Sequence, residues 1–409
     1  MADTINSKYT FKYALIHSFY WSVFCSSYSF ATVFLLSKHF SNSQIGIVFA
    51  IAGISAALLQ PSVAAFTDTA KRISIEHMIA ILTGTAGVFA LTRFFLSDGF
   101  MMLAVLCILE LSILCTLQPL VNALGMQLIN RGIEINFGLA RGVGSMSYAI
   151  TSIILGVLVE NLGAGSLTAV SVGLYLALGA ASYAFLKRQN AAADKDRPCS
   201  DSAENVESTD HVPAYSLLTF LMHYKRFIAF LAAIALTFCS HSMINNYLIQ
   251  IAENVGGTAK DMGIANAISA ALELPAMIAF GFLVTKIRCS SILKFSLFFF
   301  ALKAAATLWA ANLWMLYAAQ TLQFCSFAMF TPASIFYVNE IIEKNDLAKG
   351  QAFMTSAITL GGVAASFLGG RLLDYSGARG MLVFGLICAV LGFAIGILAV
   401  GKTRPVEYA

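Results

Sequence analysis

The stretch GVLVENLGA at 156–164 recurs as GRLLDYSGA at 370–378, with glycine, leucine and acidic residues at matching positions. A second stretch, PSVAAF at 61–66, recurs as PAMIAF at 275–280. Both pairs are 214 residues apart, and two unrelated matches would rarely share one offset. The sequence therefore predicts one helical unit that is built twice.

The composition is that of a membrane protein. Hydrophobic residues make up 58% of the chain and charged residues 11%, whereas an ordinary soluble domain has about 25% charged residues. Uncharged stretches such as 161–186 and 380–401 exceed the roughly 20 residues that a helix needs to cross the hydrocarbon. A helix is the element that satisfies its own backbone there. We therefore predict an all-α integral membrane protein, whose first span is not a cleaved signal peptide.

Charge-free runs and turn residues divide the chain into twelve predicted transmembrane helices, six in each copy of the repeat. The predicted spans are 11–37, 44–66, 75–96, 99–123, 137–160, 165–187, 226–252, 261–285, 290–311, 313–338, 350–373 and 380–401. The predicted domains are a first six-helix bundle (1–187), a polar cytoplasmic linker (188–216) and a second six-helix bundle (217–409). This organisation predicts two pseudo-symmetric bundles.

The Lys and Arg residues predict the orientation in the membrane. If both termini are inside, 18 of the 25 basic residues lie on the cytoplasmic side and five on the other. This bias predicts a multi-pass protein of the cytoplasmic (inner) membrane with cytoplasmic termini. It also accounts for the net charge of +4, so nucleic acid is not an expected partner. The eight cysteines form no Cys-x-x-Cys pair, and we expect neither a metal nor a cofactor.

A few ionisable residues fall inside predicted spans. A charge near the bilayer centre costs on the order of 2.5 to 3.5 kcal/mol, so each such residue needs a partner or a wet cavity. Both signs occur in both halves, which predicts a central cavity that the two bundles share. The residues are His17, Glu110, Arg141, His241, Glu273 and Lys303.

Arg141 lies on the most informative of these spans. Arg141, Ser145 and Tyr148 share one helical face, because seven residues are nearly two turns. A guanidinium, a hydroxyl and an aromatic ring on one face are suited to binding a sugar or a nucleoside. The alternative is that Arg141 extends to the cytoplasmic interface, since it lies near the start of its span.

Two segments carry a resemblance to a known family. The segment 45–68, which includes IGIVFA, Gln60, Pro61 and Asp68, and the segment FGLARGVG at 137–144 resemble the lactose permease branch of the major facilitator superfamily. Members of this branch are oligosaccharide and nucleoside proton symporters. The resemblance covers the whole chain, and it is strongest in the first half. It implies the major facilitator fold.

The resemblance also implies roles for particular residues. Arg141 matches the arginine that binds the sugar, and Tyr148 matches the aromatic residue that stacks on it. Asn122 is an amide where the family has an acid. Glu273 matches the glutamate of the eighth helix, and Lys303 stands where the family has an arginine. The loop residues Asp68, Lys71 and Arg72 keep the acid and the bases of the superfamily's gate signature, without its glycines.

The tenth helix departs from the family. Gln320, Gln323 and Ser326 occupy the positions of the lysine, histidine and glutamate that handle the proton. A different coupling site is therefore needed, and we predict that Glu273 forms a titratable pair with Lys303 or His241. The alternatives are a fixed ion pair for Glu273 and Lys303, and interhelical hydrogen bonding for His241.

We expect a secondary transporter that moves a small polar solute, a saccharide or a nucleoside, by alternating access, with proton-coupled import as the favoured mode. The alternatives are a drug or metabolite exporter and, less favoured, a non-transporting membrane sensor. No motif predicts an enzyme. We expect the protein to be monomeric, with the bilayer and the solute as partners. The predicted binding residues are Arg141, Tyr148, Asn122, Gln118, Ser145, Glu273, Asn245, Gln320 and Gln323.

Overall fold

Helices are the only regular elements in the computed structural model, which describes residues 2–69, 74–95, 99–130, 133, 135–193 and 217–401. In the first half they are α1 (Ala2–Phe24), a π-helix (Cys25–Ser29), α2 (Ala31–Ser37), α3 (Asn42–Thr69), α4 (Ile75–Phe95), α5 (Phe100–Asn130), α6 (Phe137–Leu162) and α7 (Ser166–Ala193). In the second half they are α8 (Leu217–His223), α9 (Lys225–Asn246), α10 (Leu248–Asn254), α11 (Ala259–Ala271), α12 (Glu273–Leu283), α13 (Cys289–Leu308), α14 (Leu313–Thr321), α15 (Phe327–Ile341), a 3-10 turn (Lys344–Asp346) and α16 (Leu347–Ala399).

Ten helical segments of the described chain are long and apolar enough to cross a membrane. They are Tyr9–Ser37, Asn42–Thr67, Ile75–Phe95, Phe100–Ile129, Phe137–Leu162, Ser166–Phe185, Lys225–Asn246, Ala259–Leu283, Cys289–Leu308 and Lys349–Ala399. These segments confirm the all-α membrane architecture that the composition predicts. The predicted tenth span, 313–338, is divided between α14 and α15, and neither of these two helices is long enough to cross the membrane by itself.

The last segment, α16, is two helices joined at Gly377. A straight helix of its 53 residues would be about 80 Å long, more than twice the roughly 30 Å of the hydrocarbon core. Gly377 breaks it with a φ of 67°, a left-handed conformation that glycine adopts without steric cost. Gly369, before the break, packs on Tyr247, whereas Gly392, after it, packs on Thr237 further back along α9. The second part therefore runs back along α9, antiparallel to the first.

The repeat is visible in the helix ends. Gly163 ends α6 with a φ of 79°, and Gly377, 214 residues later, breaks α16 with the same sign of φ. Helix α4 begins at Ile75 and α13 begins at Cys289, again 214 residues apart. The twelve-span count and the domain limits stay predictions, and most of the linker lies outside the described residues.

The two halves meet where glycines allow close approach. Gly46 of α3 lies against the carbonyl oxygen of Ser366, and Gly263 of α11 lies against the carbonyl oxygen of Ser152. A Cβ atom at either glycine would collide with that backbone, so a larger residue would push the halves apart. The pairs α3 with α16 and α6 with α11 therefore form the seam between the halves.

Candidate functional site

A polar cluster at the seam, which includes a base and an acid, forms where α6 meets the start of α12. Arg141 and Ser145 lie one turn apart on α6, which Asn136 caps by accepting a 2.8 Å hydrogen bond from the backbone N–H of Leu139. Glu273 is the first residue of α12. The helix is interrupted before it because Pro275 has no N–H to donate to the preceding turn.

A hydrogen-bonded chain crosses the seam at this point. Arg141 Nη1 donates to Ser145 Oγ over 3.1 Å, and Ser145 Oγ donates to Glu273 Oε2 over 3.0 Å. Arg141 Nη2 lies 3.9 Å from the same carboxylate oxygen. The side chains of Arg141 and Glu273 are 16% and 15% accessible, so the pair is not sealed in the protein interior. A base of the first half and an acid of the second half thus compensate each other's charge.

Aromatic rings wall the first-half side of this chain. The guanidinium of Arg141 lies 4.3 Å from the centroid of the Trp21 ring, a cation–π contact. Tyr148 meets Trp21 edge to face at 6.5 Å, and its hydroxyl hydrogen-bonds to Ser29 Oγ at 2.7 Å. The sequence points to Tyr148 as the ring of the site and misses Trp21 and Ser29. The helical spacing of Trp21, four residues after His17, is the signal that could have found it.

The polar residues of the second half are brought together in pairs. Lys303 Nζ donates to Gln323 Oε1 over 2.7 Å, and Gln320 Oε1 accepts a 3.0 Å bond from Ser269 Oγ. Lys303 and Gln320 are each 1% exposed. Gln320 and Gln323, which the sequence places in the site, thus face the interior of the second half and already hold partners.

His241 is enclosed by aromatic rings. Its ring stacks on Phe327 with centroids 5.1 Å apart, and it meets Phe300 edge to face at 5.2 Å. Asn245 Nδ2 lies 2.9 Å from His241 Nε2, a bond within one turn of α9. Glu273 instead contacts Ser145 and Arg141 in this conformation, and the predicted pairing of His241 with Glu273 stays a prediction.

The predicted pair of Glu273 and Lys303 is also not formed. Glu273 faces α6, where Arg141 and Ser145 hold its carboxylate. Lys303 is buried on α13, and its ammonium donates a hydrogen bond to the amide oxygen of Gln323. Glu273 lies at the break between α11 and α12, and from there its carboxylate bonds across the seam to Ser145.

Other predicted residues lie apart from this chain or beyond the description. Gln118 and Asn122 are half-buried on α5, and no hydrogen bond between described residues joins them to Arg141. Lys71, Arg72 and the side chain of Asp68, the predicted gate, lie outside the described residues.

A second ion pair is buried inside the first half. Arg93 Nη1 lies 3.2 Å from Glu110 Oε2, with side-chain exposures of 3% and 0%. The guanidinium also lies 3.8 Å from Cys107 Sγ and 4.7 Å from the centroid of Phe34. The sequence indicated Glu110 as an acid in need of a partner but left Arg93 among the residues outside the membrane. The position of Arg93 within the predicted third span was the available signal.

The comparisons with known proteins agree with this architecture. No curated protein sequence matches the chain. The crystal structure of a point mutant of the nucleoside transporter NupG superposes with a TM-score of 0.77 at 14% identity, covering 95% of this chain and 98% of that one. The structure of NupG itself gives a TM-score of 0.73 at 13% identity with the same coverage. At this identity the likeness shows the fold, and it confirms the predicted major facilitator fold.

The model of the MFS_1 like family matches residues 10–396. That range includes both halves of the repeat, the seam and every residue of the hydrogen-bonded chain at Arg141. The chain therefore belongs to the MFS_1 like family, and it is a multi-pass membrane transporter of the major facilitator type.

Proposed function

We propose that the protein moves a small polar solute, a saccharide or a nucleoside, across the cytoplasmic membrane by alternating access. The observation that carries the proposal is the chain from Arg141 through Ser145 to Glu273. It joins one half to the other at a partly accessible point of the seam. A solute that binds there contacts both halves at once, which is the requirement for coupling its binding to their rocking motion.

The chemistry of the cluster favours a solute rich in hydroxyl or amide groups. Arg141 offers several N–H donors in a fixed fork, and Glu273 offers carboxylate acceptors. A hydrogen bond to a charged group contributes about 1.5 to 3 kcal/mol, so a solute with both donors and acceptors can replace the bonds that the cluster makes to itself. Trp21 and Tyr148 supply flat surfaces for a sugar or base ring. The nucleoside transporters with the same fold support a nucleoside as one candidate.

Proton-coupled import is the mode that the charges favour. When a solute engages Arg141, the carboxylate of Glu273 loses its counter-charge. A bare carboxylate at this depth is costly, and a proton taken up by Glu273 removes that cost. Lys303, which now donates to an amide, is the other cation available to Glu273 when the halves move. Glu273 is thus the proposed coupling residue, with Lys303 and His241 in support.

The remaining features follow from this function. We place both termini and the linker 188–216 in the cytoplasm, with 1–187 and 217–409 as the two rocking bundles of a monomer. Asp68, Lys71 and Arg72 are the proposed gate on the cytoplasmic side. The amides proposed to contact the solute as the site rearranges are Gln118, Asn122, Asn245, Gln320 and Gln323.

Counterflow in proteoliposomes tests the proposal. Vesicles loaded with one of a panel of sugars, nucleosides and small acids are diluted into the labelled compound, with and without a proton gradient. Arg141→Ala is expected to reduce counterflow at least tenfold, because a lost bond of about 1.5 kcal/mol corresponds to about a factor of ten. Arg371→Ala, at an exposed arginine, is the matched control. Unchanged counterflow in Arg141→Ala would remove the site, and outward pumping alone would favour an exporter.

A further inference from the structure

Two nitrogen atoms on α1 next to Arg141 have no hydrogen-bond partner among the residues that the structure describes. They are His17 Nδ1 and Trp21 Nε1, and both are buried. His17 as a whole is 1% exposed. Buried polar atoms without a partner are rare in folded proteins, because each has lost its hydrogen bonds to water without replacing them. His17 and Trp21 lie one turn apart on α1, and the Trp21 ring contacts Arg141. Their two unpartnered nitrogens point to a ligand.

The hydrogen bonds around His17 identify which of its ring nitrogens carries the proton. The hydroxyl of Tyr13 donates its one hydrogen to the carbonyl oxygen of Val121 over 3.1 Å. With the Tyr13 hydrogen placed on Val121, we assign Nε2–H as the donor of the 2.9 Å bond between His17 Nε2 and the Tyr13 hydroxyl. The neutral imidazole therefore presents a bare acceptor at Nδ1. The indole Nε1–H of Trp21 is a donor only.

Both residues face the helix that carries Arg141. Gly144, one turn beyond Arg141 on α6, lies against Trp21, and a Cβ built there would be 3.2 Å from Trp21 Nε1 and 3.4 Å from His17 Cβ. The guanidinium of Arg141 rests on the Trp21 ring. The acceptor and the donor thus lie on the part of α1 that packs against α6 next to Arg141.

The surroundings favour a flat ligand. His17 meets the Tyr13 ring edge to face at 4.7 Å and the Phe137 ring at 6.4 Å. Trp21 is flanked by Tyr148 on the side toward Ser29. Aromatic walls with one acceptor and one donor match a planar nitrogen heterocycle that carries an N–H beside a carbonyl, because its faces stack while its edge bonds.

We propose that His17 and Trp21 are binding residues that read the edge of such a heterocycle, His17 by accepting its N–H and Trp21 by donating to its carbonyl. The proposal rests on the proposed function, since it places the ligand at the same site. It goes beyond that function by selecting a nucleoside-like base over a saccharide.

Two substitutions at His17 separate its two nitrogens. A glutamine amide reaches the position of Nε2, so His17→Gln can keep the bond to Tyr13 while losing the acceptor at Nδ1. An asparagine amide reaches the position of Nδ1, so His17→Asn keeps the acceptor. Trp21→Phe removes the N–H and keeps a ring under Arg141, and Trp314→Phe, at a tryptophan 80% exposed, is its control.

The experiment measures counterflow affinity for uridine, 3-methyluridine and methyl β-galactoside in the full chain. His17→Gln is expected to weaken uridine about three- to tenfold, as a neutral hydrogen bond of about 0.5 to 1.5 kcal/mol implies. His17→Asn is expected to stay within about twofold of the unaltered chain. The effect should vanish with 3-methyluridine, whose base has no N–H, and Trp21→Phe should weaken both nucleosides.

Three other outcomes are possible, and each contradicts a particular proposal. Uridine affinity that His17→Gln and Trp21→Phe leave unchanged would show that the two nitrogens do not read the solute, while the transport function stands. If methyl β-galactoside shows counterflow and uridine does not, the proposal of a heterocyclic ligand is wrong, while the proposed transport function stands. Absence of counterflow with every probe, in protein whose folding is intact, would overturn both.

Discussion

The two halves of the molecule treat their buried charges differently. In the first half, Arg93 and Glu110 lie 3.2 Å apart and are almost fully buried, so the pair is complete within one bundle. In the second half, Lys303 is equally buried, but its ammonium donates to the amide of Gln323. Glu273, the acid of the same half that could compensate Lys303, contacts Arg141 of the first half.

This difference separates a structural pair from a mobile one. The charges of Arg93 and Glu110 cancel in any arrangement of the two halves, because both residues move together. Glu273 and Lys303 belong to the same half, but the carboxylate of Glu273 is held by Ser145 and Arg141 of the other half. A salt bridge between Glu273 and Lys303 therefore requires that this contact across the seam be broken. We therefore propose that the pair of Arg93 and Glu110 is a fixed part of the first half, and that the charges of Glu273 and Lys303 respond to conformation.

The largest expected effect is at the complete pair. Glu110→Ala leaves Arg93 buried without its counter-charge, which costs about 3 to 5 kcal/mol of the free energy of unfolding. The measurement is thermal unfolding of the purified protein in detergent, together with the yield of folded protein. Replacing both residues by leucine is the control, and it should recover most of the loss because no charge stays buried. A single variant as stable as the unaltered chain would contradict this fixed structural role.

The next effect is on coupling at Glu273. Glu273→Gln keeps a side chain of the same shape without the titrating group, so counterflow exchange is expected to continue within about threefold of the unaltered chain, in line with the loss of one modest hydrogen bond. Accumulation driven by a proton gradient is expected to disappear. Glu253→Gln, at an exposed acid, should change neither. Undiminished accumulation by Glu273→Gln would show that the proton is handled elsewhere.

At Lys303, unlike at Glu110, removing the charge is not expected to lower the free energy of unfolding. Lys303→Met replaces a buried ammonium that forms no salt bridge with any described residue by an apolar chain of similar length, so the free energy of unfolding should be unchanged or rise by about 1 kcal/mol. Gradient-driven accumulation should nevertheless fall, because Glu273 loses its second cation. A drop in unfolding temperature as large as that of Glu110→Ala would mean that the bond to Gln323 is a structural pair like the first.

The smallest effect is at the seam. Asp374 caps α3 of the other half by accepting 3.1 Å and 2.7 Å bonds from the backbone N–H groups of Asn42 and Ser43. The corresponding helix α11 is capped within its own half by Asp261. A helix cap contributes about 0.5 to 2 kcal/mol. Asp374→Asn should therefore increase, several-fold, the population of molecules in which the two halves are separated at the start of α3.

Spin labels at His39 and Arg379, in a chain without its native cysteines, report that opening as a longer distance. Asp261→Asn is the matched control, because its cap joins no residues across the seam. A distance distribution that Asp374→Asn leaves unaltered, or that Asp261→Asn changes equally, would show that the cap does not hold the halves together.

Much of the fold could be read from local sequence. The segment around Gly163 and its copy around Gly377 mark the ends of corresponding helices, and the structure gives both glycines a positive φ. The predicted third span, 75–96, agrees with α4 to within one residue. The tenth span was predicted as one helix and is divided, since the stretch between Thr321 and Phe327 forms turns. Breaks of this kind depend on packing, so composition does not reveal them.

The sequence could predict which residues belong to the candidate site, but it could not predict which of them contact each other. Arg141, Ser145 and Glu273 were recognisable as polar groups inside apolar spans, because retaining such groups in the membrane is costly. The bond between Ser145 and Glu273 links residues 128 positions apart in the chain, and no local pattern specifies it. The role of Trp21 was hidden for the same reason, since an aromatic residue in a membrane helix is ordinary until its neighbour is known.

The sequence by itself determined that the chain crosses the membrane many times and that one unit occurs twice, because hydropathy and repetition are properties of consecutive residues. Only the tertiary structure decided that Glu273 faces Arg141, that Lys303 is left with an amide, and that Arg93 belongs to Glu110. The physical reason is that charge pairing acts through space over a few ångströms. Which side chains come that close depends on how the helices cross, and the order of residues within each helix does not state it.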